Sequence, residues 1–169
     1  MDAREPVRRS FFIAGVSPGR VYDVVVDFAA YPQLFSEIKG ARVLSRTPVA
    51  GDGAAEVHRV EFRAQVVLPV RYVLDLTCRS EPAETPSVDW RFVEGEIVTD
   101  STGSWRFSPE GGGTAVVYQV ALDIRAPLPG FVLRKVTDGL VAASIPNMFT
   151  SIEREVRRRA AVSPAGPAK

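Results

Sequence analysis

The chain has 169 residues, 46% hydrophobic and 24% charged, with a net charge of +1. That size suits one domain, which buries roughly 70% of the surface its unfolded form exposes. The near-zero charge balance gives no global pull toward nucleic acid, and the one cysteine, Cys78, excludes an intrachain disulfide framework and a zinc site built on paired cysteines.

Residues 1–6 read as a loose leader, and Val7 to Ala14 as a first strand. Ser17 then offers an N-cap and Pro18 suits the first helical position. Val21, Val24, Val25 and Phe28 follow at helical spacing, so one face packs inward. Pro32 disfavours helix at Tyr31, so the helix is expected to end just before it, and "PQLFSEI" to form a short second helix. Arg42-Val43-Leu44 begins the strands.

From there the period is two. His58, Val60, Phe62 and Ala64 alternate with Arg59, Glu61, Arg63 and Gln65. Tyr72, Leu74, Leu76 and Cys78 form a second inward series; Val88, Trp90 and Phe92 a third; Trp105 and Phe107 a fourth; Val116, Tyr118, Val120, Leu122 and Ile124 a fifth. Such alternation marks antiparallel strands with one face packed and one mostly wet. Turn chemistry separates them: "AGDGA" at 50–54, Pro69, "EPAETP" at 81–86 and "SPEGGG" at 108–113. After "APLPG" the period returns to helical, with an apolar stripe through Leu133, Val136, Leu140, Ala143, Met148, Ile152 and Val156 that Pro146 interrupts.

The order is therefore strand, two short helices, about six strands and one long helix over roughly 129–158. A twisted sheet must bury its apolar face against that helix. One helix cannot fill the whole concave side, and the gap is a natural ligand cavity.

This order resembles the helix-grip fold of the START superfamily, with its polyketide cyclase/dehydrase and coenzyme Q-binding branches. The residues that carry the likeness are Asp27, Tyr31-Pro32 and Val43-Leu44, the hairpin "GSWRFSPEGGGTAVVYQVALDI", and "PLPGFVLRKV". "SIPNMFTSIERE" resembles the helix end of the coenzyme Q-binding branch. The resemblance implies an α+β fold of the START/Bet v 1-like kind: a curved antiparallel sheet of six to seven strands wrapped around a long C-terminal helix. Residues 7–160 are expected to form this domain and 161–169 a disordered tail.

Candidate site residues follow from the inward phase. Tyr72, Trp90, Phe92, Trp105 and Tyr118 either pack the core or line the cavity, as does Phe62 beside them. Tyr31 and Phe35 lie on the short helices that, in the resembling fold, border the cavity mouth; Leu140 and Met148 face it from the long helix. His58 is either a hydrogen-bonded core histidine or a polar contact in the cavity. Glu94 continues the phase of Trp90 and Phe92. Either it is wet at a strand end, or it faces the cavity with Arg42 or His58 as partner. Trp90 is expected to line the cavity and Trp105 to lie nearer the packed end.

Arg154, Arg157, Arg158 and Arg159 crowd one helix end. They either serve the helix dipole and i,i+4 pairs, or dock to a membrane or ribosome. No phosphate loop, nucleophile elbow or metal-ligand cluster occurs, so neither cofactor nor metal is expected. No signal peptide and no apolar run of about 20 residues is seen, so a cytoplasmic monomer or weak dimer is expected. The function expected is binding or transport of a hydrophobic small molecule, such as a lipid, quinone or polyketide. The rival is an aromatase/cyclase that positions a poly-β-keto chain and needs an acid or base; a third is an interaction protein at ribosome or membrane.

Overall fold

The structure is a computed structural model that describes residues 5–65, 69–125 and 127–162; the side chains of 136, 137 and 139–143 fall outside the description. Its elements are β1 (Val7–Ala14), α1 (Pro18–Val25), a 3-10 turn (Phe28–Ala30), α2 (Tyr31–Leu34), β2 (Ile38–Val49), β3 (Asp52–Gln65), β4 (Pro69–Arg79), β5 (Ser87–Glu96), β6 (Val98–Glu110), β7 (Gly113–Ile124) and α3 (Gly130–Val162). The strands form one antiparallel sheet in the order β1-β7-β6-β5-β4-β3-β2. Strands β2 to β7 are successive hairpins, and β1 returns to the far edge beside β7. This is the expected curved sheet around one long helix.

The inward series pack as the alternation requires. Val60, Leu76, Val88, Trp105, Phe107 and Val116 are buried with Val21, Val24, Val25 and Phe28 of the α1 region, and with Ile152 and Val156 of α3. The α3 helix is continuous from Gly130 to Val162, two residues past the boundary expected at 160; residues 163–169 lie outside the described residues. Pro146 sits inside α3 on its exposed side. Among the described residues no helix is long and apolar enough to cross a membrane.

The first helical segment departs from expectation. It ends at Val25, and Phe28 occupies the 3-10 turn. Tyr31 and Pro32 open α2 rather than terminate α1. In that first turn the missing proline N–H costs nothing, because first-turn amides have no intrahelical partner. The Tyr31 hydroxyl donates to the Val25 carbonyl at 2.6 Å, satisfying one of the carbonyls left open at the end of α1.

Candidate functional site

Two aromatic groups cover the concave face. In the first, Phe28 meets Tyr31, His58 and Phe62 edge-on at 5.5, 5.7 and 6.5 Å, and Tyr31 meets Phe35 at 4.8 Å. Phe62 bridges Tyr31 and Tyr72 at 5.7 and 5.5 Å. In the second, Tyr118 lies against Trp90 at 5.8 Å and Trp105 at 4.5 Å, and Phe149 of α3 closes on Tyr118 at 6.2 Å. Phe149 also stacks on Phe11 of β1 at 4.0 Å.

The two groups differ from an ordinary core in one respect. Tyr31, Tyr72, Phe92, Tyr118 and Met148 point inward and pack on the core cluster, yet remain half-buried. The backbone of α3 runs close to α1, α2 and β1. Burial pushes the Tyr72 hydroxyl up to about 12 and raises Tyr118 and Tyr31 well above the ordinary phenol range. All three are therefore neutral donors at physiological pH. Beyond burial, Tyr118 and Tyr72 each raise Tyr31, and Tyr72 raises Tyr118, so the three phenols share one electrostatic environment. Among the described residues the hydroxyls of Tyr72 and Tyr118 make no hydrogen bond to protein.

Trp90 is 9% exposed and Trp105 4%, so both indoles belong mainly to the wall. The Trp90 indole lies across Gly103 of β6, and its N–H donates to Ser101 Oγ at 3.1 Å. His58 is 7% exposed. Its Nε2 is 3.8 Å from a Glu56 carboxylate oxygen, and its Nδ1 has no partner among the described residues. Burial, with Arg46 nearby, lowers its pKa and keeps it neutral. Phe35 is 8% exposed and Phe62 3%. The Leu140 side chain lies outside the described residues.

Glu94 and Arg42 are not on the concave face. A register shift between β4 and β5 places Leu74 opposite Phe92 but Val73 opposite Glu94. The extra residue, Val93, flips the phase, and Glu94 turns outward to Arg71 at 3.5 Å. Arg42 is outward too, 3.6 Å from Glu61. A Glu94 pair with Arg42 or His58 in the cavity is thereby excluded.

The convex face carries an ion-pair ladder instead. Glu61, 7% exposed, accepts from Arg71 at 2.7 Å. Asp75, 5% exposed, accepts two bonds from Arg59 at 2.8 and 2.9 Å. Arginine side chains, rather than core, cover these carboxylates. On α3, Arg157 pairs with Glu153, and Arg158 and Arg159 with Glu155; Arg159 also reaches Asp27 at 2.8 Å. Much of that basic cluster is thus paired within the chain.

These contacts predict acid lability. Hydrogen bonds from Arg71, Arg59 and Arg158 hold Glu61, Asp75 and Glu155 below their ordinary values, Glu155 at about 2. A carboxyl depressed in the fold adds stability above its unfolded pKa and loses it as pH falls through the folded one. His58, also depressed, binds its proton more readily when unfolded, so it acts in the same direction below its ordinary 6.5. The melting temperature should therefore fall slowly below about pH 6 and steeply from about pH 4.5 toward pH 2. Asp75→Asn should flatten the steep limb while lowering the neutral-pH plateau. A melting temperature unchanged across that range would contradict the ion-pair geometry.

Comparison with known proteins agrees with this architecture. No curated protein matches the chain. A structure from Thermus thermophilus superposes with a TM-score of 0.77 at 24% identity, over 92% of this chain and 99% of that one. The Zhui aromatase/cyclase from Streptomyces sp. R1128 gives 0.74 at 18% identity, over 94% and 96%. A STAR-related lipid transfer protein from Xanthomonas axonopodis gives 0.69 at 14% identity, over 90% and 85%. At such identities the likeness is one of fold. The family model described as "Polyketide cyclase / dehydrase and lipid transport" matches residues 14–149, and the chain belongs to that family.

Proposed function

We propose that the chain binds a hydrophobic small molecule between α3 and the concave face, and serves as its carrier. The half-buried inward aromatics support this most. Tyr31, Tyr72, Phe92 and Tyr118 keep accessible area on a face otherwise packed against helices. Large aromatics with few polar groups are the common lining of such sites. On this reading those residues and Met148 contact the ligand, while Trp90, Trp105, Phe62 and Phe35 form the wall behind them. A quinone, lipid or polyketide fits the chemistry. The one cysteine is a free buried thiol, which suits a cytoplasmic setting.

The aromatase/cyclase reading needs a positioned acid or base. Among the described residues the buried inward groups other than phenols are His58 and Cys78; Glu56 shares their phase but is exposed at the strand end. Nδ1 of His58 is sealed from solvent, and burial pushes the Cys78 thiol up to about 12. Neither is suited to proton transfer in a cavity, which favours the carrier.

A decyl-substituted benzoquinone titrated into micromolar protein should quench tryptophan fluorescence saturably at one molecule per chain, because Trp90 and Trp105 both touch Tyr118. Phe92→Asp, which places a bare carboxylate on the concave face, should abolish the quenching. Glu94→Gln on the convex face should leave it intact. Linear, non-saturating quenching, or quenching that Phe92→Asp does not alter, would overturn the reading.

A further inference from the structure

The ionisable groups of the two sheet faces are unevenly distributed. The convex face holds Arg42, Arg59, Arg63, Arg71 and Arg91 with their carboxylates. The concave face between Tyr31, Tyr72 and Tyr118 holds none of these. Arg9 and Arg46 share the inward phase but stand exposed on the edge strands β1 and β2. The stretch of α3 from 136 to 143 contains one ionisable residue, Asp138, and it is exposed. What the concave face does hold, besides the neutral His58 and the Cys78 thiol, is hydroxyl.

We infer that the site selects a neutral ligand bearing a carbonyl oxygen, which the hydroxyls of Tyr72 and Tyr118 hold, and that it discriminates against carboxylates and amines. This rests on the cavity-binding reading above. Tyr31 has spent its hydrogen on the Val25 carbonyl, while Tyr72 and Tyr118 have donors with no protein acceptor among the described residues. Neither hydroxyl is sealed: among the described residues the buried side-chain polar atom without a partner is His58 Nδ1, so both phenol donors reach open space on an apolar face, where an incoming acceptor can meet them. Their phenols stay protonated far above neutral pH, so they are donors under all physiological conditions. A ketone, quinone or ester oxygen satisfies them without bringing charge. A carboxylate would also accept, but it must leave water, and Arg9, the cation opposite Tyr118, stays exposed on the edge strand β1 and does not follow it inward. An ammonium group could donate to the phenol oxygens, but it too must leave water with no buried carboxylate beside Tyr72 or Tyr118 among the described residues.

Displacement of the neutral dye Nile red from the full chain at pH 7 tests this with three probes, each carrying a twelve- or thirteen-carbon chain or tail: 2-tridecanone, dodecanoate and dodecylbenzene. The ketone should bind at least about 10-fold more tightly than the carboxylate. Tyr72→Phe and Tyr118→Phe should each weaken the ketone roughly 3- to 10-fold and leave dodecylbenzene unchanged. The wild-type comparison needs no variant, so a misfolded substitution cannot mask the outcome. If dodecylbenzene binds but the carboxylate matches the ketone, or the phenylalanine variants keep full ketone affinity, the selectivity is refuted while the carrier reading stands. If neither Nile red nor any probe binds, the carrier reading falls and the selectivity with it.

Discussion

Phe28→Ala is expected to cost about 4 kcal/mol, near the upper range for emptying a core aromatic site. The ring is 1% exposed and sits where the short helices meet β3. Its edges contact Tyr31 of α2 and His58 and Phe62 of β3, so two elements lose a shared partner at once. In a domain of this size that loss lowers the melting temperature by roughly 10 °C. Phe28→Leu nearly conserves volume and should cost about 1.5 kcal/mol or less. The alanine variant should also admit water to His58 Nδ1, which is now sealed, and move the imidazole pKa back up toward its ordinary value. Denaturant melts give the first quantity and NMR titration of the one histidine the second. A cost of about 1 kcal/mol for Phe28→Ala would show that the short helices do not rest on this ring.

Gly103→Ala is expected to destabilise by about 3 kcal/mol, although it adds one methyl group. A Cβ at this position would lie 2.1 Å from Trp90 Cζ2 and 2.4 Å from the Gln119 carbonyl oxygen. The second clash is with backbone and cannot be relieved by a rotamer. The indole is held by its bond to Ser101 and by Tyr118, so moving it breaks both contacts. Gly19→Ala is the control. Nothing lies within 4 Å of the added Cβ there, and the residue is helical. It should be neutral or stabilising by about 0.5–1 kcal/mol. Near-UV circular dichroism should change for Gly103→Ala and not for Gly19→Ala. Equal stability of the two variants would contradict the packing of Trp90 on β6.

Much of the fold is legible in the sequence because period-two and helical apolar patterns are long and unbroken here. His58 to Ala64, Leu74 to Cys78 and Val116 to Val120 all face the side their alternation predicts. Alternation alone misplaces Glu94 as a possible cavity group because a bulge leaves no local mark. Only the pairing with β4 shows that Val93 is the extra residue. The buried state of Glu61 and Asp75 is likewise hidden in the sequence, since it depends on arginines of neighbouring strands. The helical stripe selects Met148, yet it is Phe149 that stacks on Phe11 and meets Tyr118. The sequence signal for Phe149 is its place beside Met148 in "SIPNMFTSIERE", the segment that resembles the helix end of the coenzyme Q-binding branch. The sequence marks Tyr31 as a residue of the cavity mouth. Its further part, closing the α1 carbonyl through Tyr31 Oη, requires knowing that α1 stops at Val25.

On the proposed function, an apolar ligand enters between α3 and the concave face. A two-dimensional 1H–15N NMR titration with 2-tridecanone tests it most directly, because it locates binding residue by residue. Saturable shifts should concentrate at Tyr31, Tyr72, Phe92, Tyr118 and Met148, with the two indole N–H signals among them. Amides that flank the convex ladder, around Glu61 and Asp75, should stay still. Shifts confined to the convex face, or none at saturating ketone, would contradict the account.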